Sequence, residues 1–491
     1  MRLAPVVLLL LPAMVGCAVG PSTRAAQPPA PALSARDAGA ASSPSRAFLD
    51  SLTRAREAEQ PDTAASLLRP APVALDSAGD LAWLGILKDS QLVTLVRTAV
   101  ANNRDVRTAT ARVREYRAQL GVARADLFPQ VDLNFSASTN KVAIGGFAPM
   151  QYDAVRITSD LQWELDFWGR IRRQTEAAAF DWRAQEQDRR ATVLSLVSDV
   201  ATAYLELLEI DQNLTTSQQT LESRQATLQL ARKRFEQGVI SDLDVSQFES
   251  AVAAPAAQVA EFTRQRIEKE NLLSVLIGSP PRSIARGGRL EAAVSAVAVP
   301  DSLPAALIVR RPDVLRAQHD WQAATARVGA AVADRLPTFF VTAEYGTDRP
   351  DFHQLFGSSA EIYSVEGGVS VPLFHGGKLL NRERAARARA DQAKSQYEQT
   401  VLTALREASD ALAGVRLNRD QIAAQQTEVR ALRRAYDVAQ RRYQRGISSY
   451  LDVLDVQRSL FDAELSLTQR ERQYLAATVQ LYKALGGGWT G

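Results

Sequence analysis

The chain contains one cysteine, three histidines and three methionines in 491 residues. A disulfide cannot close within it, and no zinc or soft-metal ligand spacing occurs. Glycine-rich phosphate loops and nucleophile elbows are missing as well. No catalytic chemistry, cofactor or metal is therefore expected. Charge of one sign is also lacking: 58 basic residues oppose 55 acidic ones, for a net charge of +3. The pI is near 9.0, yet no domain-sized basic excess accompanies it, which argues against a nucleic-acid partner. Long hydrophobic runs are absent except at residues 3–15, behind Met1 and Arg2. That run is too short to cross a bilayer and is interrupted by Pro5 and Pro12, so it reads as a secretory signal peptide. The absence with the largest structural consequence lies at residues 170–237, where 68 positions pass without proline or glycine, about 100 Å of uninterrupted helix at ~1.5 Å per residue. Residues 378–445 form a second such stretch, with Gly414 alone inside it.

The signal ends at Gly16-Cys17, and Cys17 is the only cysteine of the chain. A lone cysteine behind a small residue resembles a bacterial lipobox, although Met14 stands where that pattern prefers leucine. The resemblance implies cleavage before Cys17 and acylation of its thiol and amine; an ordinary signal with an incidental cysteine is the alternative. Ala18-Val19 lacks the aspartate of an inner-membrane retention signal, which favours the outer membrane. Residues 20–46, rich in Ala, Pro and Ser, read as a flexible tether.

One stretch is used twice. Ala231 to Val245 and Ala439 to Val453 each read as a helix ending at a glycine, a short turn and a new helix. Gly238 and Gly446 are separated by 446 − 238 = 208 residues, and the same offset relates Pro129 to Pro337, Leu165 to Leu373 and Gly278 to Gly486. The chain is thus a tandem duplication. Weak helical signals cover residues 47–88, and a stronger helix is predicted from about Gln91 to Leu127. Apolar residues recur at spacings of three and four from Val193 to Phe235, and again from Val401 to Tyr443, as a coiled-coil seam requires. Residues 241–277 and 313–336 read as helices of the return path, with a Gly/Pro/Ala-rich segment at 279–304. Between the helices the period changes to two. Val131, Leu133, Phe135 and Ala137 alternate with Asp132, Asn134, Ser136 and Ser138. Strands are predicted at about 130–139, 153–168, 337–346 and 361–374. Their length, alternation and terminal aromatics (Trp163, Phe167, Tyr345, Tyr363) suit membrane-barrel strands, with a half-buried soluble sheet as the alternative. Four strands cannot close a barrel, so a membrane role demands oligomerisation.

Arg310-Arg311-Pro312-Asp313-Val314, Arg442-Tyr443 with Gly446, Tyr450-Leu451-Asp452-Val453, and Leu481-Tyr482-Lys483-Ala484-Leu485-Gly486 resemble the TolC-type outer-membrane factors, in particular the lipid-anchored branch that serves resistance-nodulation-division efflux pumps. The resemblance runs from about Ala82 to the C-terminus. It implies a mainly helical protomer with four membrane strands, trimerising into a 12-stranded β-barrel above an α-helical periplasmic barrel. It further implies partners: a periplasmic membrane-fusion adaptor, an inner-membrane resistance-nodulation-division transporter and outer-membrane lipid. The implied organisation is a signal peptide at 1–16, a lipidated tether at 17–46, repeats at 47–278 and 305–486, an equatorial linker at 279–304 and a tail at 487–491. Carried over position by position, Leu451 falls at an apolar constriction of the periplasmic gate and Asp455 at an acidic ring. Asp452 is a second candidate for that ring, and it would otherwise be a first-turn acid favoured by the helix dipole. Asp244 and Tyr443 match ties between neighbouring helices, while Ser448 departs from relatives that carry arginine. Gly238, Val239, Gly446 and Ile447 would form the adaptor-contacting tip. Independently of the resemblance, Arg170, Arg172, Arg173, Lys378, Arg382 and Arg384 follow strands at helix starts, where the dipole disfavours cations. Either lipid phosphates compensate them or they form a solvated face. An outer-membrane component of type I protein secretion and a soluble coiled-coil scaffold are the competing functions.

Overall fold

The computed structural model describes residues 20–21, 32–34, 87–142, 149–296, 302–350 and 361–487. The signal, Cys17, the helical signals at 47–86 and most of the tail at 487–491 lie outside the described residues. The elements are β1 (Ala32–Ser34), α1 (Ser90–Asn102), α2 (Arg104–Ala125), β2 (Gln130–Val142), β3 (Met150–Leu165), α3 (Arg170–Glu236), α4 (Asp242–Leu276), α5 (Leu290–Ala296), β4 (Ser302–Pro304), α6 (Pro312–Ala333), β5 (Thr338–Arg349), β6 (Glu361–Ser370), α7 (Lys378–Gln444) and α8 (Tyr450–Ala484). Both bounds of α2, α3 and α4 reappear 208 residues later as those of α6, α7 and α8.

The duplication extends to the turns. Gly238, Gly278 and Gly446 have φ of 72° and Gly486 has 83°. Each glycine amide bonds the carbonyl three residues back, and the next amide reaches five back, as in Val239 N to Arg234 O at 2.8 Å and Ile447 N to Arg442 O at 2.9 Å. These are Schellman stops, and only glycine adopts the left-handed conformation without strain.

Three expectations change. The helix foreseen over 91–127 is broken at Asn103, whose ψ of 138° leaves the helical region and whose side chain caps Asp105 N and Val106 N. A residue able to cap its own backbone competes with helix continuation. The segment foreseen as a free tether contains β1, which pairs with β4 in an antiparallel ladder. That pairing is made by backbone groups, so an Ala/Pro/Ser composition carries no trace of it. The irregular belt likewise contains α5, with Ile284, Leu290 and Ala293 buried in the main core.

That core lies at the waist. Leu92, Val96 and Ala99 of α1 meet Val200, Tyr204 and Leu207 of α3, Leu273 of α4, and Leu475, Val479 and Tyr482 of α8. Tyr204 donates to Asp89 Oδ2 at 2.7 Å and accepts from Gly287 N at 2.9 Å, tying three segments. At equivalent places of the two repeats, a helix cap reaches the end of a neighbouring helix: Asn103 Nδ2 donates to Leu276 O at 3.0 Å and Arg311 Nη1 to Ala484 O at 2.9 Å. By length and hydropathy α3 would also suit a membrane span, but the window concerned is 56% buried inside the fold. The predicted seam residues Leu196, Val200, Leu207 and Ile210 are buried, as are Val401, Ala404, Ala408 and Val415. Near the hairpin ends burial fades, and Phe235 is exposed.

The larger sheet has the order β2-β3-β5-β6, antiparallel throughout. Its odd-numbered face presents Val131, Leu133, Phe135, Tyr345, Tyr363 and Val365, all more than half exposed. Its other face carries Asp132, Asp160, Glu344 and Arg156, with Arg156 bridging Glu344 at 3.3 Å and Asp348 at 3.0 Å. An antiparallel sheet whose apolar face is bare along β2 and much of β6, with two edges unpaired among the described residues, is not a stable end state in water.

Candidate functional site

The hairpin tips gather most of the sequence-predicted site residues. α3 and α7 run down to Gly238 and Gly446, and α4 and α8 start back up. Val239 and Ile447 project from the turns, 66% and 61% exposed. Asp244 closes a capping box: its carboxylate accepts from the Ser241 hydroxyl at 2.7 Å and from Ser241 N at 2.8 Å. Those donors hold the Asp244 carboxyl below the usual carboxylate range. Its described partners are thus in its own turn, whereas Tyr443 reaches across repeats. The Tyr443 hydroxyl accepts from Arg234 Nη1 at 2.8 Å, and the guanidinium lies 5.4 Å from the ring centroid. Tyr450 stacks on Phe248 at 3.9 Å and meets Tyr443 at 5.3 Å. Burial pushes the Tyr450 phenol up to about 12, so it is neutral at physiological pH. Phe248 and Tyr450 join α4 to α8, with Leu228, Ala231 and Val245 packed around them.

Leu451 and Asp455 lie on one wall of a groove of about 540 Å³ whose other wall is α4. Leu451 is half exposed, and Asp455 pairs with Arg458 one turn on at 3.0 Å. Asp452 faces the other side of α8, in a recess shared with Arg434, Arg442 and Ser448. The Ser448 hydroxyl is buried without a hydrogen-bond partner among the described residues.

Sequence reasoning missed Arg224, which forms the floor of the groove and is 7% exposed. Its Nη1 donates to Ala251 O at 2.7 Å. That carbonyl is free because Pro255, inside α4, has no amide hydrogen to return to it. The sequence holds a signal for this pairing: Arg224 and Pro255 correspond to Leu432 and Ala463 in the second repeat, so both are replaced together. Burial pushes the Arg224 guanidinium below its ordinary value.

The basic residues at the sheet base divide into two groups. Arg170 forms a bidentate pair with Glu164 at 2.8 and 2.7 Å, Arg172 bonds Asp166, and Arg173 pairs with Glu176 at 2.8 Å. Asp166 also accepts from Arg172 N at 2.8 Å, capping the glycine-started α3. The unfavourable dipole is thus offset by carboxylates close in sequence, Glu164 and Asp166 six residues before Arg170 and Arg172, and Glu176 three residues after Arg173. In the second repeat Glu164 and Asp166 become Pro372 and Phe374, and Lys378, Arg382 and Arg384 are exposed, without an ion pair among the described residues.

Among the described residues the features brought together are two helical turns, a polar groove and an open sheet. The model of a family described as outer membrane efflux protein matches the chain twice, at residues 95–279 and 303–487. The toluene efflux pump outer membrane protein TtgC of Pseudomonas putida is 36% identical over 421 residues, covering 84% of this chain and 86% of its own. The cation efflux system protein CusC of Escherichia coli is 30% identical over 420 residues, covering 85% and 90%. A crystal structure of CusC superposes with a TM-score of 0.78 at 30% identity, covering 83% of this chain and 94% of that one. The outer-membrane channel OprN superposes with a TM-score of 0.77 at 30% identity, covering 83% and 93%.

Proposed function

Because the chain belongs to the outer membrane efflux protein family, whose members form the outer-membrane channels of efflux pumps, we propose that it works as a lipid-anchored homotrimer with a gate at the periplasmic tip. It is a transporter component, not an enzyme. The observation that carries the trimeric reading is the four-stranded sheet, whose edges β2 and β6 are unpaired and whose odd-numbered face is apolar and exposed. In a bilayer an open edge leaves unsatisfied backbone groups, each costing several kcal/mol, roughly, so the sheet must close through further copies. Three copies supply twelve strands, and the long helices below would line one continuous conduit.

Solutes then move without chemistry on the chain, and control rests at the tip. Leu451 narrows the pore, Asp455 and Asp452 set its charge, Tyr443 holds the two hairpins in their closed arrangement through Arg234, and Asp244 stiffens the turn of its own hairpin. Gly238, Val239, Gly446 and Ile447 present the turns to a periplasmic membrane-fusion adaptor, which couples the channel to an inner-membrane resistance-nodulation-division transporter. Cys17 carries the lipid after removal of residues 1–16. Lys378, Arg382 and Arg384 are the rim cations left for lipid phosphates, since Arg170, Arg172 and Arg173 have carboxylate partners. Relatives named for toluene and for cations share this scaffold, so the pump and adaptor would set the cargo.

The test is single-channel recording of the purified protein in planar bilayers, with its oligomeric mass measured alongside. Small, mostly closed conductance from trimers is expected, with a larger conductance for Asp455→Ala. Monomers without channel activity would overturn the reading, and unchanged conductance in Asp455→Ala would remove that residue from the pore.

A further inference from the structure

The floor of the tip groove holds a cation that the fold serves only in part. Arg224 is 7% exposed, and its guanidinium gives one hydrogen bond, from Nη1 to Ala251 O at 2.7 Å. Its Nε is buried without a hydrogen-bond partner, and no carboxylate pairs with it among the described residues. Asp462 and the phenols of Tyr436 and Tyr450 act on it only through space. A carbonyl carries a dipole and not a charge, so the Ala251 bond satisfies one donor and leaves the positive charge unneutralised. Taking a full charge out of water costs far more than one such bond returns. A neutral side-chain amide would serve Ala251 O as well, so the carbonyl alone does not account for a guanidinium at this place.

Over that guanidinium lies the groove of about 540 Å³, within the roughly 300–1,000 Å³ of small-ligand sites. Its walls are equivalent stretches of the two repeats. Ser246, Gln247 and Ser250 of α4 stand at the 208-residue counterparts of Leu454, Asp455 and Arg458 of α8. The α4 wall is polar and uncharged, and those three side chains make no hydrogen bond among the described residues. The α8 wall offers Leu451 and Leu454, with Asp455 already tied to Arg458 at 3.0 Å. Two guanidiniums and one carboxylate thus line the groove, an excess of one positive charge. The counterpart of Arg224 in the second repeat is Leu432, so the duplication itself does not require the cation.

We propose that this groove is a binding site for amphipathic monocarboxylates. The carboxylate pairs with the Arg224 guanidinium and accepts from the Ser246 and Ser250 hydroxyls and the Gln247 amide, while the apolar body lies along Leu451 and Leu454. One unneutralised charge suits a monoanion better than a phosphate dianion, and the two leucines favour an organic acid over an inorganic ion. Binding itself is independent of the oligomer. Its consequence rests on the reading that Leu451 and Asp455 line the gate: an organic acid held here sits beside the constriction and biases it.

Fluorine NMR of para-fluorobenzoate titrated into the full-length protein in non-ionic detergent tests the site, with para-fluorobenzamide as the uncharged twin. Saturable binding of the anion is expected, with the amide roughly tenfold weaker. Arg224→Gln can still donate to Ala251 O but carries no charge. It should weaken the anion roughly tenfold and change the amide less than about twofold, whereas Arg224→Lys should lose only about threefold. Should Arg224→Gln loosen α4, seen as faster hydrogen exchange of its amides, the Pro255→Ala background decides. There Ala251 O regains a helix donor, and adding Arg224→Leu should produce the same roughly tenfold loss of the anion. Equal affinity for anion and amide, or anion binding indifferent to the charge at position 224 in both backgrounds, would overturn the inference. In planar bilayers the anion should lengthen closed dwell times of the wild-type channel and not of Arg224→Gln. A protein that binds the anion through Arg224 but forms no channel would leave this site standing and overturn the channel reading. A conducting channel that binds no anion would do the reverse.

Discussion

Replacing Arg224 with leucine, the residue at the same place in the second repeat, isolates a single carbonyl. In the wild-type chain Ala251 O receives its hydrogen bond from Arg224 because Pro255 has none to give. Arg224→Leu leaves that carbonyl without a donor, which costs about 1–3 kcal/mol for a buried group. Removing a desolvated guanidinium returns part of this, so a net loss of ~1–2 kcal/mol in the tip hairpin is expected. Pro255→Ala restores an amide that can bond Ala251 O within the helix. In that background Arg224→Leu should cost well under ~1 kcal/mol, giving a coupling energy of about 1–2 kcal/mol. The channel's unfolding in detergent is not a two-state process, so a global midpoint is the wrong readout. Hydrogen exchange of α4 amides followed by mass spectrometry reports local opening instead. About tenfold faster exchange is expected for Arg224→Leu, ~1.4 kcal/mol being a factor of ten, against a small change in the Pro255→Ala background. Equal acceleration in both backgrounds would refute the claim that the arginine serves the carbonyl freed by the proline.

Glu471 is buried on α8, and burial together with repulsion from Glu291 pushes its carboxyl up to about 7. Its folded value lies above the unfolded one, so its contribution is full below about pH 4.5 and is lost as pH rises through about 7. Glu471→Gln should therefore strengthen protection of α8 amides against hydrogen exchange at pH 8.5, relative to the wild-type chain at the same pH, and change it little at pH 4.5; a change of equal size at both values would contradict the assignment. Gly446→Ala meets open space but a φ of 72°. It should destabilise the tip by about 1–2 kcal/mol, seen as faster exchange at the turn, while Gly414→Ala, inside α7 where an added Cβ meets Ala477 at an ordinary 3.7 Å, should not. Cys17→Ser should abolish incorporation of a labelled fatty acid; persistence of the label would remove Cys17 as the anchor.

Much of the architecture was legible along the chain. The 208-residue offset, the glycine stops and the two helices without breakers are local features whose geometry follows from backbone sterics and period. The strands were visible because their side chains alternate on a two-residue period, and Leu165 and Val131 fall on the predicted faces. The break at Asn103 carried its own signal, an Asn-Asn pair where a cap can form. The pairing of Arg170 and Arg172 with Glu164 and Asp166 was likewise readable, being six residues apart, once cations at a helix start were seen to need partners.

By itself the sequence determined the elements, their duplication and their apolar faces, since each depends on neighbours within a few residues. Only the tertiary structure decided which strands are edges, which turn Asp244 serves, that Tyr443 meets Arg234, and that a buried Arg224 answers a proline 31 residues away. The reason is physical. Periodicity records how a residue faces its own element, whereas a carbonyl left open by Pro255 or a strand edge left open at β2 is a demand that any compatible surface can meet, and the packing of whole helices selects which one does.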